Sequence, residues 1–163
     1  VSQDVLLALL DDVFQAVVAS VRRHGGEVLK FIGDGALAIF TPDACGDAEA
    51  ACAAATAAAD DLQQALRELR GRRAADGAPE PRVGVGLHFG ELTYGNIGAP
   101  TRLDFTVIGA SVNLTARVEG LCGPLGQDVL ATAELADRSP GWAPLGSHPV
   151  KGVPEPVAVY RRG

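Results

Sequence analysis

The sequence contains no methionine and few cysteines or aromatic residues. Its three cysteines, Cys45, Cys52 and Cys122, are odd in number and form no CxxC pair. This pattern argues against a disulfide scaffold and against a zinc site, and it indicates a reduced, cytosolic protein with buried thiols. Because no initiating Met is present, we expect the sequence to be an internal part of a longer protein.

Long apolar runs and an excess of positive charge are also absent. No apolar stretch approaches the ~20 residues of a membrane-spanning helix. Asp4, Asp11 and Asp12 interrupt the apolar positions near the N-terminus, which argues against a signal peptide. The net charge of −6 argues against a nucleic-acid partner, since phosphate backbones require a basic surface. We expect a cytoplasmic domain without membrane contact of its own, whose parent protein could still be membrane-attached.

The sequence does contain enough apolar material for one folded domain. It has 163 residues, of which 47% are hydrophobic. A domain of this size buries roughly 70% of the surface of its unfolded chain. No second domain is visible, so we predict a single domain over residues 1–163.

The spacing of apolar residues predicts an α+β order of elements. A helical period predicts a helix over 3–23, and an alanine-rich stretch predicts a second one over 47–70. Asp34-Gly35 between apolar runs at 27–32 and 36–40 predicts a hairpin. Further elements are predicted as strands at 82–89, 104–108, 128–131, 148–150 and 156–161, helices at 110–121 and 132–137, and loops at 71–80 and 92–103. One additional strand in front would complete β-α-β-β-α-β, the ferredoxin-like pattern.

Two segments far apart in the chain combine residues suited to metal, phosphate and base. Leu29-Lys30-Phe31-Ile32-Gly33-Asp34-Gly35 places a lysine and a carboxylate at a tight glycine turn. Residues 104–119 place Asn113 and Arg117 four positions apart, on one face of a predicted helix. Carboxylate oxygens suit hard divalent cations, and cations suit phosphate.

Each candidate residue also has a purely structural interpretation. On local sequence alone, Asp34 is more commonly a turn residue, because aspartate hydrogen-bonds its own backbone there. Asn113 and Arg117 could form an ordinary polar helix face. Lys30 has apolar neighbours and must find a partner or extend to solvent. Thr106 is typical of any strand.

Both segments resemble the catalytic domain of class III nucleotidyl cyclases, the adenylate and guanylate cyclases. The resemblance covers nearly the whole chain and implies an α+β fold with a ferredoxin-like βαββαβ core. The first strand of that core, with its metal-binding aspartate, is missing from this sequence, and we expect it upstream in the parent protein. The resemblance implies conversion of ATP to 3′,5′-cyclic AMP and pyrophosphate at the interface of a homodimer. Two Mg²⁺ or Mn²⁺ ions are expected in the complete domain.

The resemblance also implies roles for residues of the first segment and of the strand before the second helix. Asp34 is implied to be a metal ligand. Lys30 and Thr106 are implied to contact the edge of adenine, the lysine as a donor and the hydroxyl as donor and acceptor. Guanylate cyclases typically carry Glu and Cys at these places, so Lys30 and Thr106 favour ATP over GTP.

Three more residues receive roles in the same way. Asn113 is implied to orient the ribose, and Arg117 to neutralise charge that develops at the transferred phosphorus. Lys151, in a Val-Lys-Gly loop, is implied to contact the triphosphate. In the family, Asp34 would come from one subunit, and the other would contribute Lys30, Thr106, Asn113, Arg117 and Lys151.

Other interpretations stay open on the sequence alone. A catalytically inactive, cyclase-like regulatory or dimerisation domain is favoured by the absent first aspartate. A guanylate cyclase is disfavoured by Lys30 and Thr106. A ferredoxin-like RNA-binding module is disfavoured by the acidic charge and by the missing stacking aromatics. His24, His88 and His148 are too scattered to indicate a zinc cluster.

Overall fold

The computed structural model describes residues 2–32, 35–91, 93–97, 104–108 and 110–163, with Ile32, 93–97 and 104–108 described by their backbone. The chain divides into two compact units, Val1–Val83 and Gly84–Gly163. Helices and strands occur in both, which confirms the predicted α+β class. The prediction of a single domain over 1–163 stays a prediction.

The first unit begins with the predicted helix and hairpin. Its elements are α1 (Gln3–Arg23), β1 (Glu27–Ile32), β2 (Gly35–Ile39), α2 (Pro42–Cys45) and α3 (Ala48–Ala75). The predicted bounds of α1 are confirmed, and its first turn is capped by Ser2, whose Oγ accepts from the Val5 amide at 3.3 Å. Strands β1 and β2 pair antiparallel, with Ile32 opposite Gly35.

Helix α3 is longer than predicted, because the stretch 71–75 is helical and not part of a loop. Two arginines make contacts that hold the C-terminal end of α3 in place. Arg73 bonds Asp12 of α1 at 2.6 Å, and Arg70 donates to the Pro81 carbonyl at 3.1 Å. These tertiary contacts outweigh the low helix propensity of Gly71.

The second unit contains a four-stranded sheet and a separate strand pair. Its elements are β3 (Val85–Leu87), β4 (Thr93–Ile97), β5 (Asp104–Ile108), α4 (Ala110–Glu119), α5 (Cys122–Leu125), β6 (Val129–Thr132), α6 (Ala133–Ala136), β7 (Trp142–His148) and β8 (Val157–Arg162). The sheet order is β3-β6-β8-β7, with β3 parallel to β6 and the other pairs antiparallel. Strands β4 and β5 pair antiparallel. The core contains Val118, Leu130 and Val159, each no more than 1% exposed.

Two strand predictions in this unit are wrong, both at glycine and proline residues. Strand β4 lies in the stretch 92–103 that was predicted as a loop, and its Gly95 pairs with Thr106 of β5. Strand β7 occupies 142–148 instead of 148–150. Its Pro144 is tolerated because β7 ends the described sheet, where a missing N–H breaks no inner ladder. A register irregularity between Pro144 and Ser147 accommodates Gly146, at φ 87°.

Within the part of the chain that the structure describes, no helix is both long and apolar enough to cross a membrane.

Candidate active site

Helix α4 lies directly on the backbone of strand β3. A β-carbon built at Gly86 would lie 2.7 Å from the Glu119 nitrogen and 2.8 Å from the Thr115 carbonyl oxygen. One built at Gly84 would lie 2.9 Å from Cβ of Cys122. Real β-carbons essentially never approach other atoms this closely. Glycine at 86 therefore permits the close approach of α4, and glycine at 84 permits that of Cys122 at the start of α5.

Asn113 and Arg117 occupy a different face of α4 from the residues that meet β3. They are offset by two positions from Thr115 and Glu119, which corresponds to about 200° around a helix. Both side chains are exposed, as expected for groups that meet a ligand. The structure thus brings this predicted pair together on one accessible helix face.

Lys30 is exposed on β1, opposite Leu37 of β2, beside a register shift that lies between Val28 and Lys30. This places the lysine two residues before the end of the strand. Asp34, with Gly33, connects β1 to β2 and lies outside the described residues. Its position relative to Lys30 therefore stays a prediction from the sequence.

Thr106 and Lys151 both belong to the second unit. Thr106 lies at the centre of β5, where its backbone pairs with Gly95, and its side chain lies outside the described part of the structure. Lys151 is exposed in the turn between β7 and β8. That turn is fixed by the buried Val150, whose carbonyl accepts from the Val153 amide at 3.1 Å. The roles of Thr106 and Lys151 stay predictions.

The predicted metal ligand has suitable chemistry, but the described residues do not complete a site. Among them, no group of three or more His, Cys, Asp or Glu side chains could hold a metal ion. Asp34 supplies carboxylate oxygens, the donor type that Mg²⁺ and Mn²⁺ prefer. Asp34 therefore fits such an ion as one ligand, and the second aspartate, expected upstream, stays a prediction.

The sequence analysis missed a buried polar cluster around His88. The side chain of His88 is 7% exposed, and its Nδ1 lies 2.7 Å from Oγ1 of Thr132. The same nitrogen lies 3.8 Å from Oε2 of Glu134. Burial lowers the pKa of His88 below its ordinary 6.5, and the Glu134 carboxylate partly opposes this. The available signal was the alternation over 82–89, which places His88 on the face of Gly84 and Gly86.

Cys122 is not suited to be a nucleophile. Burial, together with the carboxylates of Glu119 and Asp128, raises the pKa of its thiol to about 11. Its Sγ lies 3.6 Å from the Val85 carbonyl oxygen. The thiol is therefore protonated at neutral pH and acts as a core side chain.

The sequence profile of the adenylate and guanylate cyclase catalytic domain matches residues 2–137. The chain belongs to this family. The match covers most of the chain, including the hairpin, both long helices and α4. It therefore places this cyclase domain among class III nucleotidyl cyclases, as the two sequence segments predict.

Comparisons with individual proteins include both kinds of cyclase. An adenylate cyclase of Anabaena cylindrica is 33% identical over 80% of this chain, which spans 25% of that protein. The adenylyl cyclase CyaB from P. aeruginosa matches with a TM-score of 0.88 and 26% identity, over all of this chain and 84% of that chain. A guanylyl cyclase of known structure matches with a TM-score of 0.84 and 27% identity, over 99% of this chain and 82% of that chain. The chain thus spans about a quarter of the curated relatives it matches.

Proposed function

We propose that this domain is an adenylate cyclase that converts ATP to 3′,5′-cyclic AMP and pyrophosphate. The observation that carries the proposal is the exposed pair Asn113 and Arg117 on α4, a helix that packs closely on β3 at Gly86. A rigid helix that presents an amide and a guanidinium to solvent can orient a nucleotide and neutralise charge without rearranging.

In the proposed reaction the ribose 3′-oxygen attacks the α-phosphorus, and the bond from that phosphorus to the pyrophosphate oxygen breaks. Asn113 orients the ribose so that its 3′-oxygen lies in line with the leaving group. Arg117 stabilises negative charge that develops on the α-phosphate. Lys151 neutralises the triphosphate and then the leaving pyrophosphate. Asp34 would hold a divalent cation, which would lower the pKa of the 3′-hydroxyl, so that its proton passes to water as the oxygen attacks, and would stabilise the phosphates.

The choice of ATP is supported by Lys30. The ammonium group is a hydrogen-bond donor and cannot accept, so it pairs with a ring-nitrogen acceptor of adenine. The hydroxyl of Thr106 can accept from the exocyclic amine of the same base. The exposure of Lys30 on β1 leaves its side chain accessible to a nucleotide.

Exposed apolar side chains in the first unit support action as a homodimer, in which both active sites lie at the interface. Phe31 is 48% exposed beside Lys30, and its ring centroid lies 4.5 Å from that of Phe14 on α1. Leu7, two helical turns before Phe14 and on the same helix face, is 56% exposed. Large exposed apolar groups of this kind mark interaction surfaces.

The thiol content supports a cytoplasmic location.

A guanylate cyclase is the second candidate. It is favoured by the similarity to the solved guanylyl cyclase, whose identity of 27% is close to the 26% of the adenylyl cyclase from P. aeruginosa. The two activities differ in the base that is recognised, so the substrate decides between them.

The deciding experiment is a product assay on the full-length parent protein with Mn²⁺ and either ATP or GTP, with Arg117→Ala as the matched control. We expect cyclic AMP from ATP, little cyclic GMP from GTP, and loss of both products in the control. A preference for GTP would establish the guanylate cyclase. Absence of both products from a folded, dimeric protein would instead favour a regulatory cyclase-like domain.

A further inference from the structure

His88 follows β3 and lies where several elements of the second unit meet. Its Nδ1 contacts Thr132, which ends β6 and is fully buried, at 2.7 Å. Its Nε2 lies near Gly90, on the side where a β-carbon would stand. A β-carbon built at Gly90 would come 2.6 Å from His88 Nε2 and 2.3 Å from Oγ of Ser111. The imidazole and the Ser111 hydroxyl therefore border the same small space at Gly90.

Ser111 lies in the first turn of α4, the helix that presents Asn113 and Arg117. The Ser111 carbonyl accepts from Oγ1 of Thr115 at 2.6 Å, and Thr115 in turn meets Gly86 of β3. The C-terminal half of α4 is thus seated on Gly86 of β3. Its N-terminal turn, through Ser111, lies near Gly90, as the imidazole does.

We propose that His88 is a positioning residue: held by Thr132, its imidazole fixes the Gly90 backbone against Ser111 and so sets the first turn of the helix that carries Asn113 and Arg117. The inference rests on the proposed function, because it assigns His88 an effect on turnover through α4. His88 itself touches neither nucleotide nor metal in this scheme.

Protonation of His88 would alter this arrangement. The neutral ring donates through one nitrogen and accepts through the other, whereas the protonated ring only donates. Among the described residues, the polar groups near the imidazole are the Thr132 hydroxyl from β6, the Glu134 carboxylate from α6 and, across the space at Gly90, the Ser111 hydroxyl from α4. The Arg138 guanidinium stacks 4.6 Å over the neighbouring Phe89 ring. A buried cation at 88 would have one partly exposed carboxylate, 3.8 Å away, as a charge partner.

The direction of the pH effect follows from the lowered pKa of His88. As pH falls, the unfolded chain binds the proton at its ordinary pKa of 6.5, before the folded chain does. The contribution of His88 to stability is therefore complete above pH 6.5 and declines as pH falls through 6.5 toward the folded pKa. At pH values low enough to protonate His88 in the folded protein, turnover should fall. The pH profile of kcat should therefore have an acidic limb.

The experiment compares wild type, His88→Ala, His88→Asn and the control His148→Ala in the full-length protein. His148 is a histidine of the same unit whose Nε2 lies 2.9 Å from the Leu145 carbonyl oxygen in β7. We expect His88→Ala to lower kcat by roughly tenfold to a hundredfold with little change in KM, because misplacement of the catalytic groups affects the reacting geometry. His88→Asn keeps a polar group near Thr132, so it should retain more activity than His88→Ala. Because asparagine does not titrate, the pH profile of kcat in this variant should lack the acidic limb. His148→Ala should change neither kcat nor its pH profile.

Hydrogen exchange at the amides of 111–119 supplies a readout that needs no activity. We expect faster exchange there in His88→Ala, with exchange in β7 and β8 unchanged. Unchanged exchange in α4, unchanged kcat with an unchanged pH profile, or equally faster exchange throughout the unit would each overturn the inference. If wild type forms no cyclic nucleotide, the proposed function fails, and the exchange comparison alone decides whether His88 positions α4.

Discussion

Gly86 lies against the Thr115 carbonyl so closely that a β-carbon at 86 would come within 2.8 Å of that oxygen. The obstacle is backbone, as is the Glu119 nitrogen at 2.7 Å, so no flexible side chain can move aside. The position of α4 on β3, and with it the position of Asn113 and Arg117, therefore depends on the absence of a side chain at one strand residue.

Gly86→Ala should destabilise the protein by roughly 1–3 kcal/mol, since an added methyl in a close-packed contact forces backbone shifts. Urea denaturation measures the change. The matched control is Gly123→Ala in α5, where a new β-carbon meets no atom within 4 Å. It should leave stability unchanged or raise it by up to about 1 kcal/mol. Equal effects of the two substitutions would show that α4 is not seated as closely as described.

Arg117→Ala should lower kcat by roughly 10²–10³-fold and affect nucleotide binding less, because its charge is matched to the transition state. Asn113→Ala should behave similarly. Both side chains are exposed, so circular dichroism and melting temperature should stay close to those of wild type. Variants that lose affinity but keep kcat would assign these residues to substrate binding alone.

Lys30→Glu combined with Thr106→Cys should shift preference from ATP toward GTP. A mispaired polar group at the base costs on the order of 1–3 kcal/mol. The measurement is the ratio of cyclic AMP to cyclic GMP formed when both nucleotides compete. An unchanged ratio in an active double variant would remove Lys30 and Thr106 from the base pocket. Each single variant, measured beside the double one, shows whether the two residues act together.

An Asp34→Ala chain mixed with an Arg117→Ala chain should regain activity if each active site is shared between two subunits. One interface site of the heterodimer then contains both intact residues, and the other contains both substitutions. Each variant alone should be inactive. Heterodimers that form, as shown by two different affinity tags, and remain inactive would indicate a site within one subunit.

Sequence reasoning succeeded where the determining contacts are local. The bounds of α1 follow from an apolar period and a serine cap at Ser2, and the pairing of Asn113 with Arg117 follows from helical spacing alone. It failed for the end of α3, which depends on the bond between Arg73 and Asp12. It also failed for β4, because pairing with β5 outweighs the low strand propensity of Gly95.

The cluster at His88 could not be predicted for a related reason. His88 and Thr132 are 44 positions apart, and they meet because β3 and β6 pair in parallel. When that pairing is not known, a single histidine at the end of a strand does not indicate which residue it will contact. Contacts that form through strand pairing are, in this protein, harder to predict than pairs set by the spacing within one helix.

The division of α4 into a packed face and an exposed face has a practical consequence for altering this protein. Substitutions at Val118 are limited by volume, because its side chain is fully buried and the core leaves no space for a larger group. Positions 113, 116 and 117 are exposed and carry no such limit. A combinatorial library restricted to those three positions should therefore yield mostly folded variants, so that activity lost in a variant reports on the chemistry of this helix face and not on misfolding.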